Sequence, residues 1–421
     1  MNHFLILTAV TLGISILIGF LNEKLFHLTY EISLLLFSVG IGACLTVGAA
    51  ALRGSSVSAL LESVQVFDLE TFLMKGVLCF MLFAGSCSLK LTQFKRHARP
   101  IGVLAFFCTL LGALIYGLLF WGIARLLRLP FSLPACLMFG SVTAPTDPIA
   151  ATSILKKCGL PELTGFLMEG ESLLNDGVGV ALFVVFSGIV TAEGGGGFLA
   201  VMLREILGAV LIGACVTLLC FQIIRFTKDA NRRILTSLFM VSCSYVLCEL
   251  AGCSGAISCV VCGVLFSTLR DRDAQRGRTW EPEAFDGFWE VLDTLLNSVL
   301  YVIMGLSFVR ILQMPRILLL SVLAILCNLV GRSGSLWAGT YLMGRLPDGF
   351  GRKGFTALFT WGGLRGGLSI ALAMSTATIL PSDAYRILLG CTYAIVFFTT
   401  VVQGLTMKKV YRLAAGRSLE F

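Results

Sequence analysis

Three carboxylates stand where a lipid-soluble sequence should hold none. Asp147 lies between two prolines in "FGSVTAPTDPIAATSIL", and Glu171 and Asp176 head the otherwise apolar "ESLLNDGVGVALFVV". An ionised group at the centre of a bilayer costs about 2.5–3.5 kcal/mol on insertion scales, so each acid needs a partner or a purpose. Successive helical residues turn by about 100°. Ser172 and Asp176 therefore stack on one face, and Glu171 and Asn175 on the adjoining stripe. Lipid cannot face such a patch, so it must turn inward. Two guanidiniums are available to meet the acids: Arg332 in "LCNLVGRSGSLW" and Arg365 in "TALFTWGGLRGGLSIALAMS". Three central acids against two central bases leave one carboxylate without a fixed counter-charge, provided Lys75 and Glu249 lie near the interfaces. A monovalent cation or a proton would neutralise it equally well, so the two are expected to compete for one acid. Asp176 is the candidate, because Asn175 beside it offers hydrogen bonds but no second titrating charge. Glu171 is expected to pair with Arg332 as a structural ion pair.

The segments around Asp147 and Arg365 are poor helices. Pro145 lacks the N–H that would bond the Ser141 carbonyl, and Pro148 likewise frees that of Ala144. Freed carbonyls are tolerated in hydrocarbon only where they line a cavity or find a partner. Thr146 and Asp147 add a hydroxyl and a carboxylate, hard oxygen ligands suited to Na⁺. A proline kink with Asp147 capping the second half-helix is the plainer reading, and both can hold. Gly362, Gly363, Gly366 and Gly367 flank Arg365; they weaken a helix and let another backbone approach. If the two broken helices cross at mid-membrane, two positive and two negative half-helix ends meet there. Asp147 would compensate the positive ends and Arg365 the negative ones.

The elements that carry these residues follow from composition. Of 421 residues, 57% are hydrophobic and 13% charged, and mean hydropathy is +0.91. That excludes a soluble enzyme and marks a polytopic membrane protein. Thirteen apolar runs span 4–21, 32–51, 70–89, 100–124, 133–155, 165–192, 199–226, 234–251, 253–269, 286–309, 316–343, 354–380 and 384–407. The first run follows no Lys or Arg and is long enough to span, so it reads as a retained helix rather than a signal peptide. Twenty-two of the 32 lysines and arginines fall in loops after odd-numbered runs or in the C-terminal tail, against seven after even-numbered runs. The positive-inside rule then puts the C-terminus in the cytoplasm and the N-terminus outside. The net charge of +8 is loop charge on that reading, not a nucleic-acid surface. The fifteen cysteines, including the apolar Cys259–Cys262 pair, read as packing residues rather than a metal or redox site.

In order and on these runs, "APTDP", "GESLLND" and "GGLRGG" resemble the NhaP-type sodium/proton antiporters, relatives of the eukaryotic sodium/hydrogen exchangers. The stretches around Asn297 and Glu249 agree, and the resemblance runs from about residue 70 to 405. It implies an all-α membrane protein of about 13 transmembrane helices, in two inverted six-helix repeats with crossed, unwound helices 5 and 12. It implies a transport core (roughly 70–192 and 286–407), a dimerisation part (roughly 1–60 and 199–269), a homodimer in the cell membrane and elevator-like alternating access. By motif, Asp176 is the ion- and proton-binding acid; Asp147, Thr146 and Ser172 help hold Na⁺. Asn175 belongs to the same ion- and proton-binding set and marks the electroneutral branch. Arg332 partners Glu171, and Arg365 comes from the "GLRG" motif. Na⁺, Li⁺ or K⁺ and H⁺ are cargo, and no cofactor is implied. The chain ends soon after its last run, without the long regulatory tail of the animal exchangers, which suggests a prokaryotic source.

Two other functions compete. A sodium-coupled organic-anion symporter on a similar fold would need a substrate cavity. An intramembrane aspartyl protease could use Asp147 and Asp176 as its dyad, but "PTDP" and "NDGVG" lack that class's motifs and leave the arginines idle.

Overall fold

The computed structural model describes residues 3–51, 76–87, 91–147, 149–191, 198–276, 282–312 and 315–415. Lys75, the start of the third apolar run and Pro148 lie outside the described residues. Among the described residues the regular structure is helical, apart from one isolated β-bridge. The chain forms α1 (His3–Leu21), α2 (Tyr30–Ala51), α3 (Leu78–Cys87), α4 (Ala98–Leu126), α5 (Leu133–Val142) and α6 (Ile149–Lys157). There follow α7 (Glu162–Val190), α8 (Phe198–Phe226), α9 (Ala230–Leu250), α10 (Gly255–Gln275) and α11 (Pro282–Leu312). The last are α12 (Pro315–Met343), α13 (Arg352–Gly362), α14 (Gly367–Ser375) and α15 (Ser382–Ala414). Eight helices among the described residues are long and apolar enough to cross a bilayer, and four shorter ones are apolar. The chain is therefore a multi-pass membrane protein.

Two of the apolar runs are broken. Helix α5 starts where the Ser132 hydroxyl accepts the Ala135 N–H and ends at Val142, ahead of Pro145, which cannot supply the next helical donor. Residues 143–147 are not helical, and α6 resumes at Ile149. Helix α13 stops at Gly362, and α14 starts at Gly367 after four non-helical residues. The two breaks meet: the Asp147 N–H donates to the Leu364 carbonyl at 2.7 Å, forming the antiparallel bridge.

Small residues bring backbones into contact around the breaks. A Cβ on Gly140 of α5 would run into the Ala113 main chain of α4, and one on Gly117 of α4 would lie 2.8 Å from the Leu137 Cα. Between membrane helices, close packing of this kind and interhelical hydrogen bonds stabilise what water expulsion does elsewhere. Helix α11 packs on α2, burying Leu34, Leu35, Leu300, Tyr301 and Ile303 in one cluster. Outward faces of α8 and α9 carry bare apolar side chains such as Leu211, Leu219 and Phe239, the surface expected against lipid. None of the fifteen cysteines is paired, and Cys259 and Cys262 are packed in the interior.

Candidate ion-binding site

A cavity of about 720 Å³ reaches from a charged mouth to the break between α5 and α6. Six carboxylates line it: Asp147, Glu169, Asp176, Asp286, Glu290 and Asp293. Only two cations, Lys156 and Arg270, join them, and each is held by an acid. Lys156 lies 2.8 Å from Glu169 and Arg270 lies 2.5 Å from Asp286. The excess of acid makes the cavity a trap for cations.

At the inner end, α7 presents Ser172 and Asp176 to the unwound chain. The Ser172 hydroxyl donates to the Thr146 carbonyl, and the Thr146 hydroxyl reaches Ser172 Oγ at 3.3 Å. Asn175 grips the same residue at two points. Its Oδ1 accepts the Thr146 N–H at 3.2 Å and its Nδ2 donates to Thr146 Oγ1 at 2.7 Å. The proline that ends α5 thus leaves a residue whose polar groups are taken up by α7. Pro145 itself lies against Gly179 one turn further along α7, where a Cβ would sit 2.6 Å from its ring. Asp176 lines the cavity within the fields of Asp147 and Arg365. Among the described residues no guanidinium or ammonium makes an ion pair with it.

The two central arginines do different work. Arg332 is buried and lies 2.5 Å from Glu171 Oε1, with its second terminal nitrogen 3.5 Å from the Phe359 carbonyl in the last turn of α13. Arg365 donates through one terminal nitrogen to the carbonyls of Ala144 and Pro145, the latter at 3.0 Å, and through the other to Asn328 Oδ1 at 3.0 Å. It therefore covers carbonyls just beyond the negative end of α5, which the unwinding exposes. Its own main chain is held by α15, where the turns widen at Phe398–Gln403. Thr399 Oγ1 accepts the Arg365 N–H at 3.0 Å, and the Thr400 hydroxyl donates to the Arg365 carbonyl at 3.2 Å.

The structure brings Asp147, Thr146, Ser172 and Asp176 together around one cavity end, and joins Glu171 to Arg332. It places Asn175 differently from an ion ligand: the side chain is fully buried, does not line the cavity, and is engaged by Thr146 and, at 3.5 Å, Glu171. Among the described residues the count of central charge gains one acid. Asp293, inside the tenth apolar run, lines the same cavity and is hydrogen-bonded by Asn297, so four acids there face two arginines. Glu249 is exposed at the end of α9, as the count required.

Sequence reasoning missed Asp293, Tyr301, Asn328, Thr399 and Thr400. Asp293 and Asn297 are four apart on one helical face, as are Asn328 and Arg332, so the same spacing argument that found Ser172 and Asp176 could have found them. Nothing local distinguished Tyr301, whose hydroxyl donates to Asp147 Oδ2 at 2.7 Å.

The sequence matches the sodium/hydrogen exchanger transmembrane family over residues 14–412. It is 30% identical over 370 residues to the Na(+)/H(+) antiporter NhaP of Pseudomonas aeruginosa, covering 85% of each chain. It is 31% identical over 298 residues to the Na(+)/H(+) antiporter NhaH of Halobacillus dabanensis, covering 69% of this chain and 71% of that one. The fold matches the solved structure of the sodium proton antiporter MjNhaP1 from Methanocaldococcus jannaschii at pH 8, with a TM-score of 0.76 and 20% identity over 98% of this chain and 99% of that chain.

Proposed function

The chain belongs to the sodium/hydrogen exchanger family, and from that premise we propose that it exchanges Na⁺ for H⁺ one for one, with both ions competing for Asp176. The observation that carries this reading is the position of Asp176. It lines an acid-rich cavity beside an unwound chain and is in no ion pair among the described residues. Thr146, Asp147 and Ser172 supply oxygens beside it, the ligand type that a hard monovalent cation takes. Glu171 is neutralised by Arg332, and Arg365 is engaged by main-chain carbonyls, so neither arginine displaces the cargo. Asn175 in the place of a second acid holds Thr146 rather than a proton, which supports exchange without net charge movement.

The wider frame is the one the family suggests: thirteen spans in two inverted repeats, with the Asp147–Leu364 bridge at the crossing of the fifth and twelfth. The core, roughly 70–192 and 286–407, would carry the loaded site across the membrane past a dimerising part, roughly 1–60 and 199–269. An elevator motion of that kind costs less when the site carries less net charge, which favours crossing with either ion bound. The distribution of Lys and Arg puts the C-terminus in the cytoplasm. Lys156, Glu169, Arg270 and Asp286 line the cavity near helix ends that this reading puts on the cytoplasmic side, which supports an inward-facing opening.

The test is antiport in everted vesicles under an imposed pH gradient. Na⁺ is expected to collapse the gradient, with Li⁺ and K⁺ compared in turn, and the rate is expected to be nearly unchanged when the membrane potential is clamped at zero. Asp176→Asn is expected to abolish exchange while leaving the protein in the membrane. Strong voltage dependence, or an active Asp176→Asn protein, defeats the proposal.

A further inference from the structure

We propose that Tyr301 is a positioning residue of the cation site, a role that rests on the reading of Asp147 as one of its ligands. Tyr301 lies about 12 Å further along α11 than Asp293, by helical rise, at the deep end of the cavity-lining face. Tyr301 is 2% exposed and sits in one buried cluster with Leu34, Leu35, Ile303 and Ile370. Its hydroxyl donates to Asp147 Oδ2 at 2.7 Å. Asp147 is held at further points as well. Its N–H is bonded to the Leu364 carbonyl, and its Cβ lies against Gly366, where an added Cβ would approach to 3.2 Å. The next glycine, Gly367, receives Leu300, the neighbour of Tyr301, where an added Cβ would sit 2.6 Å from Leu300 Cδ1. The glycine pair and the phenol thus fix one carboxylate from two sides.

The choice of a phenol has a chemical consequence. Tyr301 lies within the fields of Asp147, Glu31 of α2 and Asp293 of its own helix, and Asp176 of α7 lies within those of Asp147 and Arg365. Arg365 is engaged by the Ala144 and Pro145 carbonyls and by Asn328. A lysine or arginine in the position of Tyr301 would orient Asp147 but also neutralise it, and so compete with the cargo. A hydroxyl is a neutral donor: it removes the rotational freedom of the carboxylate and leaves its charge for the cation. Sites of this kind lose affinity when a ligand is free to drift by a fraction of an ångström.

The test uses the full-length protein reconstituted in liposomes. Tyr301→Phe removes one oxygen and keeps the ring that packs in the core. It is expected to raise the KM for Na⁺ three- to tenfold while turnover stays within twofold of wild type. The Na⁺-dependent rise in melting temperature of the purified protein is expected to require proportionately more Na⁺, a readout of binding that does not depend on transport. A merely structural hydroxyl would lower the melting temperature at every Na⁺ concentration and leave KM where it was; that outcome, or a fall in turnover at unchanged KM, overturns the proposal. Asp147→Asn is measured beside it and is expected to abolish Na⁺-dependent stabilisation. If Asp147→Asn keeps wild-type KM, the assignment of Asp147 itself is wrong; if it is impaired while Tyr301→Phe is not, only the role of Tyr301 falls.

Discussion

Removing one partner of the Glu171–Arg332 pair should cost far more than removing both. The side chains are 3% and 6% exposed and 2.5 Å apart. In Arg332→Met, Glu171 keeps a single long contact, Asn175 Nδ2 at 3.5 Å. In Glu171→Gln, the guanidinium keeps the Phe359 carbonyl at 3.5 Å and loses its charge partner. An uncompensated buried charge destabilises by about 3–5 kcal/mol, and either single change falls in that range. The double change leaves a neutral amide beside an apolar chain of similar length and is expected within about 2 kcal/mol of wild type. The coupling between the sites is then about 4 kcal/mol or more. Melting of the detergent-solubilised proteins should rank wild type and the double variant together, well above both singles. Single variants that melt with wild type, or a double variant below both of them, would refute a compensated buried pair. Antiport adds a second arm: the double variant is expected to exchange Na⁺ for H⁺, since Asp176 is untouched. A stable but inactive double variant would move Glu171 from scaffold to carrier.

Competition at one acid fixes the form of the pH dependence. On the acid side of the profile the apparent KM for Na⁺ should rise about tenfold per pH unit while the maximal rate holds, because saturating Na⁺ displaces the proton. A maximal rate that falls at constant KM would point instead to a separate titrating switch. Gly179→Ala would place a methyl 2.6 Å from the rigid Pro145 ring. It is expected to destabilise by about 1–3 kcal/mol and to lower transport by displacing the chain that Arg365 and Ser172 hold; melting and vesicle antiport measured together check this. Unchanged values of both would show that α7 and the unwound chain can separate freely.

Several of these residues were legible one segment at a time. The proline pair around Asp147 announced a break in a helix, and the glycines around Arg365 announced a second, because backbone donors and Cβ atoms are properties of the residue itself. The polar stripe of Ser172 and Asp176 followed from helical periodicity. Asp293 and Asn297 obey the same rule, but no proline or glycine lies beside them to mark their stretch as broken. Its place beside Asp176 in the sequence puts Asn175 with the ion site. In the fold its amide faces Thr146, a direction set by how α7 lies on the unwound chain.

The sequence alone determined that this chain lives in a membrane, that two of its helices break, and that buried acids outnumber buried bases. These are consequences of transfer energy, missing N–H groups and spacing along one helix. Only the tertiary structure decided that Glu171 belongs to Arg332 while Arg365 serves the carbonyls of Ala144 and Pro145. Only it brought Tyr301 to Asp147 across 154 residues of chain. Charge and hydrogen bonding act over a few ångströms in space, and which distant residues come that close depends on how every helix between them packs.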